Sequence, residues 1–301
     1  MSKLKHWISA FRFRTLFLAV AGVTLGSGLA IHVGLFSKTT LLLALLLSIS
    51  IQILSNLSND LGDYIKGTDI TGKRQGPERA VQSGKITPKQ MKTAIILNTI
   101  IVVIIGLLLI FTSIKSIDAV TIIVLVVVGL ICVLAALFYT LGRYAYGYIG
   151  WGDFFAFLFF GPIAVIGTYF LHTNSISLQP ILPSIGLGII STMILNVNNM
   201  RDIKNDISSG KITVASKMGL HGAKVYHTVM TVAMFLVFIT YSFLFAAHPW
   251  YRYLYALVYI MQSKTLINIW KKSDRELDPY LKETAIAGFL LSLIFSICIN
   301  I

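Results

Sequence analysis

Carboxylates are scarce in this chain, and those that could do chemistry are grouped in two short segments. Only 12 of the 301 residues are Asp or Glu. One group lies in residues 56–69 and the other in residues 196–206, and each follows a long apolar block. In the first segment Asn56, Asp60 and Asp63 are spaced i, i+4, i+7, so a helix presents them on one face. Asp69 follows a little further along.

The second segment repeats this arrangement with Asn198, Asp202 and Asp206 at i, i+4, i+8. A charged side chain at membrane depth costs roughly 2.5–3.5 kcal/mol on insertion scales, and like charges at helical spacing repel. The alternative is that these Asn and Asp residues only cap helix ends in a wet interface. Asp near a helix C-terminus opposes the helix dipole, however. Two such faces in one chain therefore indicate a bound cation.

The residue types favour Mg²⁺ as that cation. Neither segment contains a Cys, and the six His residues are scattered along the chain. Mg²⁺ prefers oxygen ligands and usually combines one or two carboxylates with waters and substrate phosphates.

Basic residues in the same two loops suggest an anionic ligand beside the metal. Lys and Arg donate strong hydrogen bonds to phosphate oxygens, so carboxylates and basic residues together match a diphosphate–Mg²⁺ complex. Each basic residue also has a simpler explanation as a surface charge that sets membrane topology. Arg79 and Lys66 are the strongest candidates among the basic residues of these loops, which are Lys66, Lys73, Arg74, Arg79, Arg201, Lys204, Lys211 and Lys217.

Long apolar blocks must position these segments. The chain is 56% hydrophobic and 12% charged, whereas soluble domains carry about 25% charged residues. A helix needs about 20 apolar residues to cross the roughly 30 Å hydrocarbon layer. Nine blocks meet that need and predict an all-α, polytopic membrane protein, with spans near 15–34, 41–59, 93–113, 118–141, 151–171, 183–200, 225–246, 251–270 and 284–301.

Charge placement predicts how these helices are oriented. With the N-terminus inside, 22 of the 25 Lys and Arg residues fall on the inner side, leaving only Lys38, Lys115 and Arg252 outside. The positive-inside rule then predicts a cytoplasmic N-terminus and an external C-terminus. This bias and anionic lipid account for the net charge of +13 without a nucleic-acid partner. The mixed charges of residues 274–283 indicate a solvated inner loop without chemistry.

Both acidic segments resemble the motifs of the intramembrane aromatic prenyltransferase (UbiA) superfamily. Asn59-Asp60-x-x-Asp63-x-x-x-Gly67-x-Asp69 matches its first Asp-rich motif, and Asn198-Asn199-x-Arg201-Asp202-x-x-x-Asp206 matches the second. Both are similar to the forms seen in the 1,4-dihydroxy-2-naphthoate polyprenyltransferase branch. Supporting matches are Gly76-Pro77-Glu78-Arg79-Ala80-Val81, Tyr139-Thr140-x-Gly142, Tyr148-x-Gly150-x-Gly152-Asp153 and Phe160-Gly161-Pro162. Two departures are Phe13, where the family has a kink-forming proline, and Lys217, where it usually has Arg.

The resemblance implies a single transmembrane domain over residues 1–301, with nine helices around a central cavity open to lipid. It implies Mg²⁺-dependent transfer of a polyprenyl group from its diphosphate to 1,4-dihydroxy-2-naphthoate, with loss of CO₂, in menaquinone biosynthesis at the cell inner membrane. A different aromatic acceptor (4-hydroxybenzoate, homogentisate or haem) is the alternative within the superfamily. An ion-coupled transporter is the alternative outside it, although transporter sites favour the bilayer midplane.

The same resemblance suggests a role for each candidate residue. Asp60 and Asp63 would hold one Mg²⁺, Asp202 and Asp206 a second, and Asp69 is a further candidate ligand. Asp153 would position or deprotonate the acceptor. Candidates for the diphosphate cradle are Asn59, Lys66, Arg79, Asn198, Arg201 and Lys217. Candidates for the prenyl and aromatic pocket are Asn56, Tyr139, Tyr148, Phe154 and Phe155.

Overall fold

Helices make up almost all of the ordered architecture. The computed structural model describes residues 3–69, 75–114, 118–245 and 249–301. Within those ranges there is no β-strand, only an isolated bridge between Ile149 and Ile212. The helices are α1 (Lys3–Phe11), α2 (Phe13–His32), α3 (Lys38–Ile65), α4 (Pro88–Ser113), α5 (Ala119–Phe138), α6 (Gly152–Leu158), α7 (Ala164–Thr173), α8 (Ile181–Ser208), α9 (Val214–Phe245), α10 (Leu257–Lys271) and α11 (Asp278–Cys298).

Eight helical segments of the described chain are long and apolar enough to cross a membrane. They comprise α2, α3, α4, α5, the combined segment Gly152–Thr173, α8, α9 and the segment Asp274–Cys298. The apolar side chains of α5 are mostly exposed on the outside of the bundle, where the segment has a mean hydropathy of 3.3. Exposed apolar surface on this scale is typical of contact with a nonaqueous environment. The protein is therefore an all-helical, multi-span membrane protein.

The predicted count of nine spans is not confirmed. The segment predicted at 251–270 consists of a 3₁₀ helix, Trp250–Ala256, followed by the short helix α10. The two conformations divide the apolar run, so that neither part alone has the length of a single spanning α-helix.

Local sequence explains where several helices begin. The Thr87 hydroxyl accepts a hydrogen bond from the Gln90 backbone N–H, and the Gln90 side-chain oxygen accepts one from the Thr87 backbone N–H. This is a reciprocal cap with Pro88 in the first turn of α4. Asp118 accepts from Val120 and Thr121 at the start of α5. These caps satisfy backbone N–H groups that have no partner inside the helix.

Three breaks in helical geometry shape the bundle. Arg12 has a left-handed backbone (φ 51°) and separates α1 from α2, so the chain bends there without the proline. A π-helical turn, Phe159–Ile163, joins α6 to α7 around Pro162. Gly219 (φ 68°) interrupts α9, a conformation that glycine adopts without steric cost. The first turn of α9, which carries Lys217, is therefore offset from the rest of the helix.

Two large packed clusters form most of the interior, and a third, small cluster of Val23, Ala44 and Leu109 joins α2, α3 and α4. The larger unites side chains from α2, α7, α8, α9 and α11, whereas a smaller one unites α1, α3, α4 and α5. Close approach depends on small residues, as is common in membrane bundles. A Cβ atom on Gly161 of the π-helical turn would lie 2.6 Å from the Gly188 Cα atom of α8. The last turns of α3 and α8, one from each large cluster, carry the two Asp-rich segments.

Candidate active site

The two Asp-rich segments meet at one end of the bundle. The Asn205 side chain at the end of α8 donates a hydrogen bond to the Thr68 carbonyl after α3, at 3.3 Å. The Gln75 backbone N–H also reaches the Asp202 carboxylate, at 3.3 Å. Residues more than a hundred positions apart in the sequence therefore lie close together.

Asp60 holds the loop that follows α3. Its two carboxylate oxygens accept hydrogen bonds from the backbone N–H groups of Ala80 and Val81, each at 3.1 Å. The side chain is only 1% exposed. Each oxygen retains a further lone pair, so anchoring the loop does not exhaust the capacity of Asp60 to bind a cation. This contact places the neighbouring Arg79 over the site.

Arg79 bridges two carboxylates of the first motif. Its guanidinium lies 2.5 Å from an Asp63 oxygen and 3.3 Å from an Asp69 oxygen. Burial alone would lower the pKa of Arg79, but the negative charges of Asp63, Asp69 and Asp60 raise it above its ordinary value. Arg79 therefore carries a permanent positive charge in the middle of the site.

Tyr148 completes the surroundings of Asp63. Its hydroxyl donates to Asp63 at 2.6 Å and lies 2.5 Å from the Thr68 hydroxyl. Burial raises the pKa of Tyr148 well above its ordinary value, and the charge of Asp63 raises it further. The Lys66 ammonium lies 4.6 Å from the centre of the Tyr148 ring, and that of Lys211 lies 5.7 Å away. Tyr148 therefore gives Asp63 a neutral hydroxyl donor, and its ring lies close to two lysine cations.

Arg201 organises the second motif. Its guanidinium donates to the Asp202 carboxylate at 2.5 and 3.2 Å and to the Asn198 side chain at 2.9 Å. It also pairs with Asp278 of α11. Only 1% of Arg201 is exposed. A Cβ atom on Gly76 would lie 2.6 Å from this guanidinium, so a side chain there would displace Arg201 or the loop.

Asp278 was not predicted, and the interpretation of residues 274–283 as a solvated loop without chemistry is wrong for it. Besides Arg201, its carboxylate accepts from Arg14 at 3.2 Å, joining α11 to the start of α2. The mixture of charges around Asp278 hides this role, because nothing in the local pattern distinguishes it from its neighbours.

Asp206 offers the clearest vacant ligand atom. One of its oxygens lies 3.6 Å from the Lys211 ammonium, whereas the other is buried and accepts no hydrogen bond from the part of the chain that the structure describes. The Asn199 side-chain oxygen is likewise buried without a donor among those residues. Unsatisfied buried oxygens are costly unless a cation or donor completes them.

The donor set is compatible with Mg²⁺, although the carboxylates do not form a ready-made cage. In the described ranges no three or more His, Cys, Asp or Glu side chains are grouped closely enough to hold a metal by themselves. Instead, the carboxylates are paired with basic side chains: Arg79 with Asp63 and Asp69, Arg201 with Asp202 and Asp278, and Lys211 with Asp206. Mg²⁺ commonly uses only one or two carboxylates and takes its other ligands from water and phosphate, so the residues present fit it.

Several predicted site residues lie around this centre rather than in it. Asn56 donates to the Phe11 carbonyl and to Thr15, each at 2.9 Å, and so attaches α3 to the N-terminal helices. Asn59 accepts from Thr140 at 3.2 Å. Phe155 packs against Tyr146, with ring centres 4.4 Å apart.

Asp153, Phe154 and Lys217 line a separate cavity between α6, α8 and α9. Tyr139 lies beside this cavity, because its hydroxyl oxygen is 3.3 Å from the position that a Cβ atom would occupy on Gly152, the residue before Asp153. Burial raises the pKa of this hydroxyl, and the charges of Asp153 and Asp63 raise it further. Lys73 and Arg74, two of the basic residues of the first loop, lie outside the described residues.

Comparison with known proteins agrees with this geometry. The UbiA prenyltransferase family model matches residues 15–293. The chain is 35% identical to a 1,4-dihydroxy-2-naphthoate octaprenyltransferase of Haemophilus influenzae, over 98% of this chain and 96% of that protein. It is 34% identical to the Escherichia coli protein of the same name, over 98% and 95%.

The fold is also that of solved members. A UbiA homolog from Archaeoglobus fulgidus, bound to DMAPP and Mg²⁺, superposes with a TM-score of 0.61 at 12% identity, covering 97% of this chain and 99% of that one. Full-length sequence similarity, the family match and the all-helical fold agree with the two Asp-rich segments brought together here, and the chain belongs to the UbiA prenyltransferase family.

Proposed function

We propose that this protein transfers a polyprenyl group from polyprenyl diphosphate to 1,4-dihydroxy-2-naphthoate, with loss of CO₂, as a step of menaquinone biosynthesis. The observation that carries the proposal is the meeting of two carboxylate faces with Arg79, Arg201 and Lys211 at one buried centre. The naphthoate acceptor is supported by the relatives of 34–35% identity, which are 1,4-dihydroxy-2-naphthoate octaprenyltransferases.

The basic side chains would bind the diphosphate and stabilise its departure. Arg79 contacts Asp63, and Lys66 and Lys211 both lie near the ring of Tyr148 beside it. An anion bound among them would replace some of the present ion pairs. Such fixed positive charge is worth most where negative charge develops on the leaving group. Arg201 is held by three acceptors, which suits a positioning role for the second motif.

The carboxylates would hold Mg²⁺ with the substrate. Asp63, Asp202 and Asp206 are the proposed principal ligands, with Asp60 sharing its charge between the loop backbone and the metal and Asp69 turned toward Arg79. When bound, Mg²⁺ would neutralise charge on the diphosphate oxygens and make the diphosphate a better leaving group. A UbiA homolog from Archaeoglobus fulgidus is bound to DMAPP and Mg²⁺, which supports Mg²⁺ as the metal.

Electron-rich rings would accompany the allylic carbon as it becomes cationic. Tyr148 is a poor choice for that role, because Lys66 already lies over its ring. Tyr139, whose hydroxyl lies next to Gly152 and the cavity beside Asp153, is better placed. Burial raises the pKa of Tyr139, so its hydroxyl stays protonated. It does not form a phenolate, which would attack the allylic cation.

The proposed setting is the cell inner membrane, with the Asp-rich centre on the cytoplasmic side, the N-terminus inside and the C-terminus outside. The concentration of Lys and Arg on the predicted inner side supports this orientation. Polyprenyl chains are apolar, so a substrate whose tail remains in lipid would present only its diphosphate to the centre.

The test uses purified protein with labelled farnesyl diphosphate, MgCl₂ and either 1,4-dihydroxy-2-naphthoate or 4-hydroxybenzoate. We expect product with the naphthoate only, and none after EDTA treatment. Asp60→Ala and Asp202→Ala should each lose about 100-fold or more in turnover, while the helix-cap variant Asp118→Asn retains it. Near-normal turnover in both alanine variants would overturn the metal assignment, and prenylated hydroxybenzoate would overturn the acceptor.

A further inference from the structure

A cavity lined by charged, polar and aromatic side chains adjoins the Asp-rich centre. Its volume is 640 Å³, within the range of about 300–1,000 Å³ common for small-molecule sites. Helices α6, α8 and α9 form its walls, and it is open to the outside, since its lining residues Trp151 and Phe154 are exposed. Its aromatic walls come from Trp151, Phe154 and Phe157, and its polar groups include Asp153, Lys217 and Tyr226.

Asp153 supplies a buried acceptor. The side chain is 7% exposed, and one carboxylate oxygen accepts no hydrogen bond from any residue that the structure describes. The Tyr226 hydroxyl of α9 makes a hydrogen-bonding contact with the same carboxylate. Thr192 of α8 donates to the Asp153 backbone carbonyl at 3.3 Å. Asp153 is therefore held by two neighbouring helices while one of its oxygens remains available.

Lys217 supplies a cation at the mouth of the cavity. Its ammonium nitrogen is 3.6 Å from the position that a Cβ atom would occupy on Gly150. Gly150 has a φ of 92°, a conformation that L side chains rarely adopt, and the lysine packs next to it. In the described ranges Lys217 forms no ion pair with a carboxylate, whereas Lys211 of the same loop is paired with Asp206.

The position of Tyr139 connects this cavity to the diphosphate centre. Its hydroxyl oxygen lies 3.3 Å from the position that a Cβ atom would occupy on Gly152, the residue before Asp153. Ile149 of the cavity wall directly follows Tyr148, whose hydroxyl donates to Asp63 at 2.6 Å. A molecule in the cavity would therefore lie next to the carbon released from the diphosphate, which is the proximity that bond formation requires.

We propose that this cavity is the acceptor subsite and that it selects an aromatic acid carrying a neighbouring ring hydroxyl. Lys217 pairs with the carboxylate, Asp153 accepts a hydrogen bond from the hydroxyl, and Tyr226 is a positioning residue that orients Asp153. The inference rests on the proposed function and deepens it. It moves Lys217 from the diphosphate cradle, where the sequence motif places it, to the acceptor.

Equilibrium binding to protein in nanodiscs tests the subsite without turnover. The probes are 1-hydroxy-2-naphthoate, 1-naphthol, which lacks the carboxylate, and 2-naphthoate, which lacks the hydroxyl, with binding to empty nanodiscs subtracted. Lys217→Met should weaken 1-hydroxy-2-naphthoate and 2-naphthoate about tenfold and leave 1-naphthol within about twofold. The matched control Lys89→Met, an exposed lysine at the start of α4, should change none of them.

Two further variants test the other contacts. Asp153→Asn should weaken both hydroxyl-bearing probes about tenfold and spare 2-naphthoate. Tyr226→Phe should produce the same pattern with a smaller effect, while Tyr144→Phe, at an exposed position, should produce none. A purely structural role for Tyr226 would instead weaken all three probes equally, which would overturn its assignment.

Binding of geranyl diphosphate with Mg²⁺ separates the two possible roles of Lys217. We expect Lys217→Met to leave that affinity unchanged. Weaker diphosphate binding with unaltered naphthoate binding would overturn the proposal and return Lys217 to the diphosphate cradle. If the wild type fails to prenylate dihydroxynaphthoate while the three probes respond as expected, the proposed function fails and the subsite remains.

Discussion

At the scale of single residues, the site is a set of matched charges. Asp63 is paired with Arg79, Asp202 with Arg201 and Asp206 with Lys211. A buried carboxylate without a partner would be strongly destabilising, so these pairs make the substrate-free arrangement tolerable. Arg79 and Lys211 are also suited to an incoming diphosphate, whereas Arg201 stays with its three acceptors.

Tyr148 provides the first prediction at this scale. Tyr148→Phe removes the hydroxyl that donates to Asp63 at 2.6 Å and should lower kcat/KM about tenfold, since hydrogen bonds to charged groups contribute about 1.5–3 kcal/mol. Steady-state kinetics with varied farnesyl diphosphate measures the change.

The raised pKa of Tyr148 adds a pH criterion. Because burial and Asp63 keep the hydroxyl protonated above its ordinary titration range, the deficit should be the same at pH 7 and pH 9. A deficit that disappears at pH 9 would show that the hydroxyl had already ionised and would contradict this role. Tyr144→Phe, whose ring is exposed, is the control.

At the scale of elements, α3 has two functional faces. One face presents the carboxylates, while Gly62 lies against Thr140, whose hydroxyl donates to the Ser58 carbonyl at 3.0 Å. A Cβ atom on Gly62 would lie 2.4 Å from that hydroxyl oxygen. The position of α3 relative to the segment after α5 therefore depends on a glycine.

Gly62→Ala should consequently destabilise the protein by about 1–3 kcal/mol, the usual cost of overpacking. Thermal unfolding in detergent would show a lower Tm, and prenyl transfer should fall with it because Asp60 and Asp63 move. Gly129→Ala is the matched control on α5, where a Cβ atom meets nothing within 4 Å. That variant should be neutral or slightly more stable, since alanine favours helix; an equal loss in both would contradict the packing argument.

At the scale of the whole molecule, the site lies between two packed clusters. Leu57 and Leu61 of α3 belong to the smaller cluster, and Val197 and Met200 of α8 belong to the larger one. Each carboxylate face therefore belongs to a different half of the bundle. The distance between the Asp-rich segments is set by how the halves pack, which a ligand bound between them would reinforce.

Membrane topology supplies the prediction at this scale. The 3₁₀ helix Trp250–Ala256 and α10 together extend about 36 Å at ~2.0 and 1.5 Å per residue, enough for a roughly 30 Å layer. We therefore expect this segment to cross, which places the C-terminus outside. A C-terminal alkaline phosphatase fusion should be active and a C-terminal fluorescent-protein fusion dark, with the opposite pattern for fusions at residue 210. An active phosphatase at residue 210, or a fluorescent C-terminus, would contradict the topology.

The sequence by itself determined the class of protein and the composition of its centre. Apolar blocks are contiguous, and carboxylates four residues apart share a helix face because of local helical geometry, so both were predictable. Only the tertiary structure decided which partner each carboxylate has. Asp278 pairs with Arg201, 77 residues away in the sequence. Asp60 binds backbone N–H groups, which no side-chain pattern predicts. Lys217 lines the cavity between α6, α8 and α9. Such contacts arise from the packing of distant helices, which no local spacing encodes.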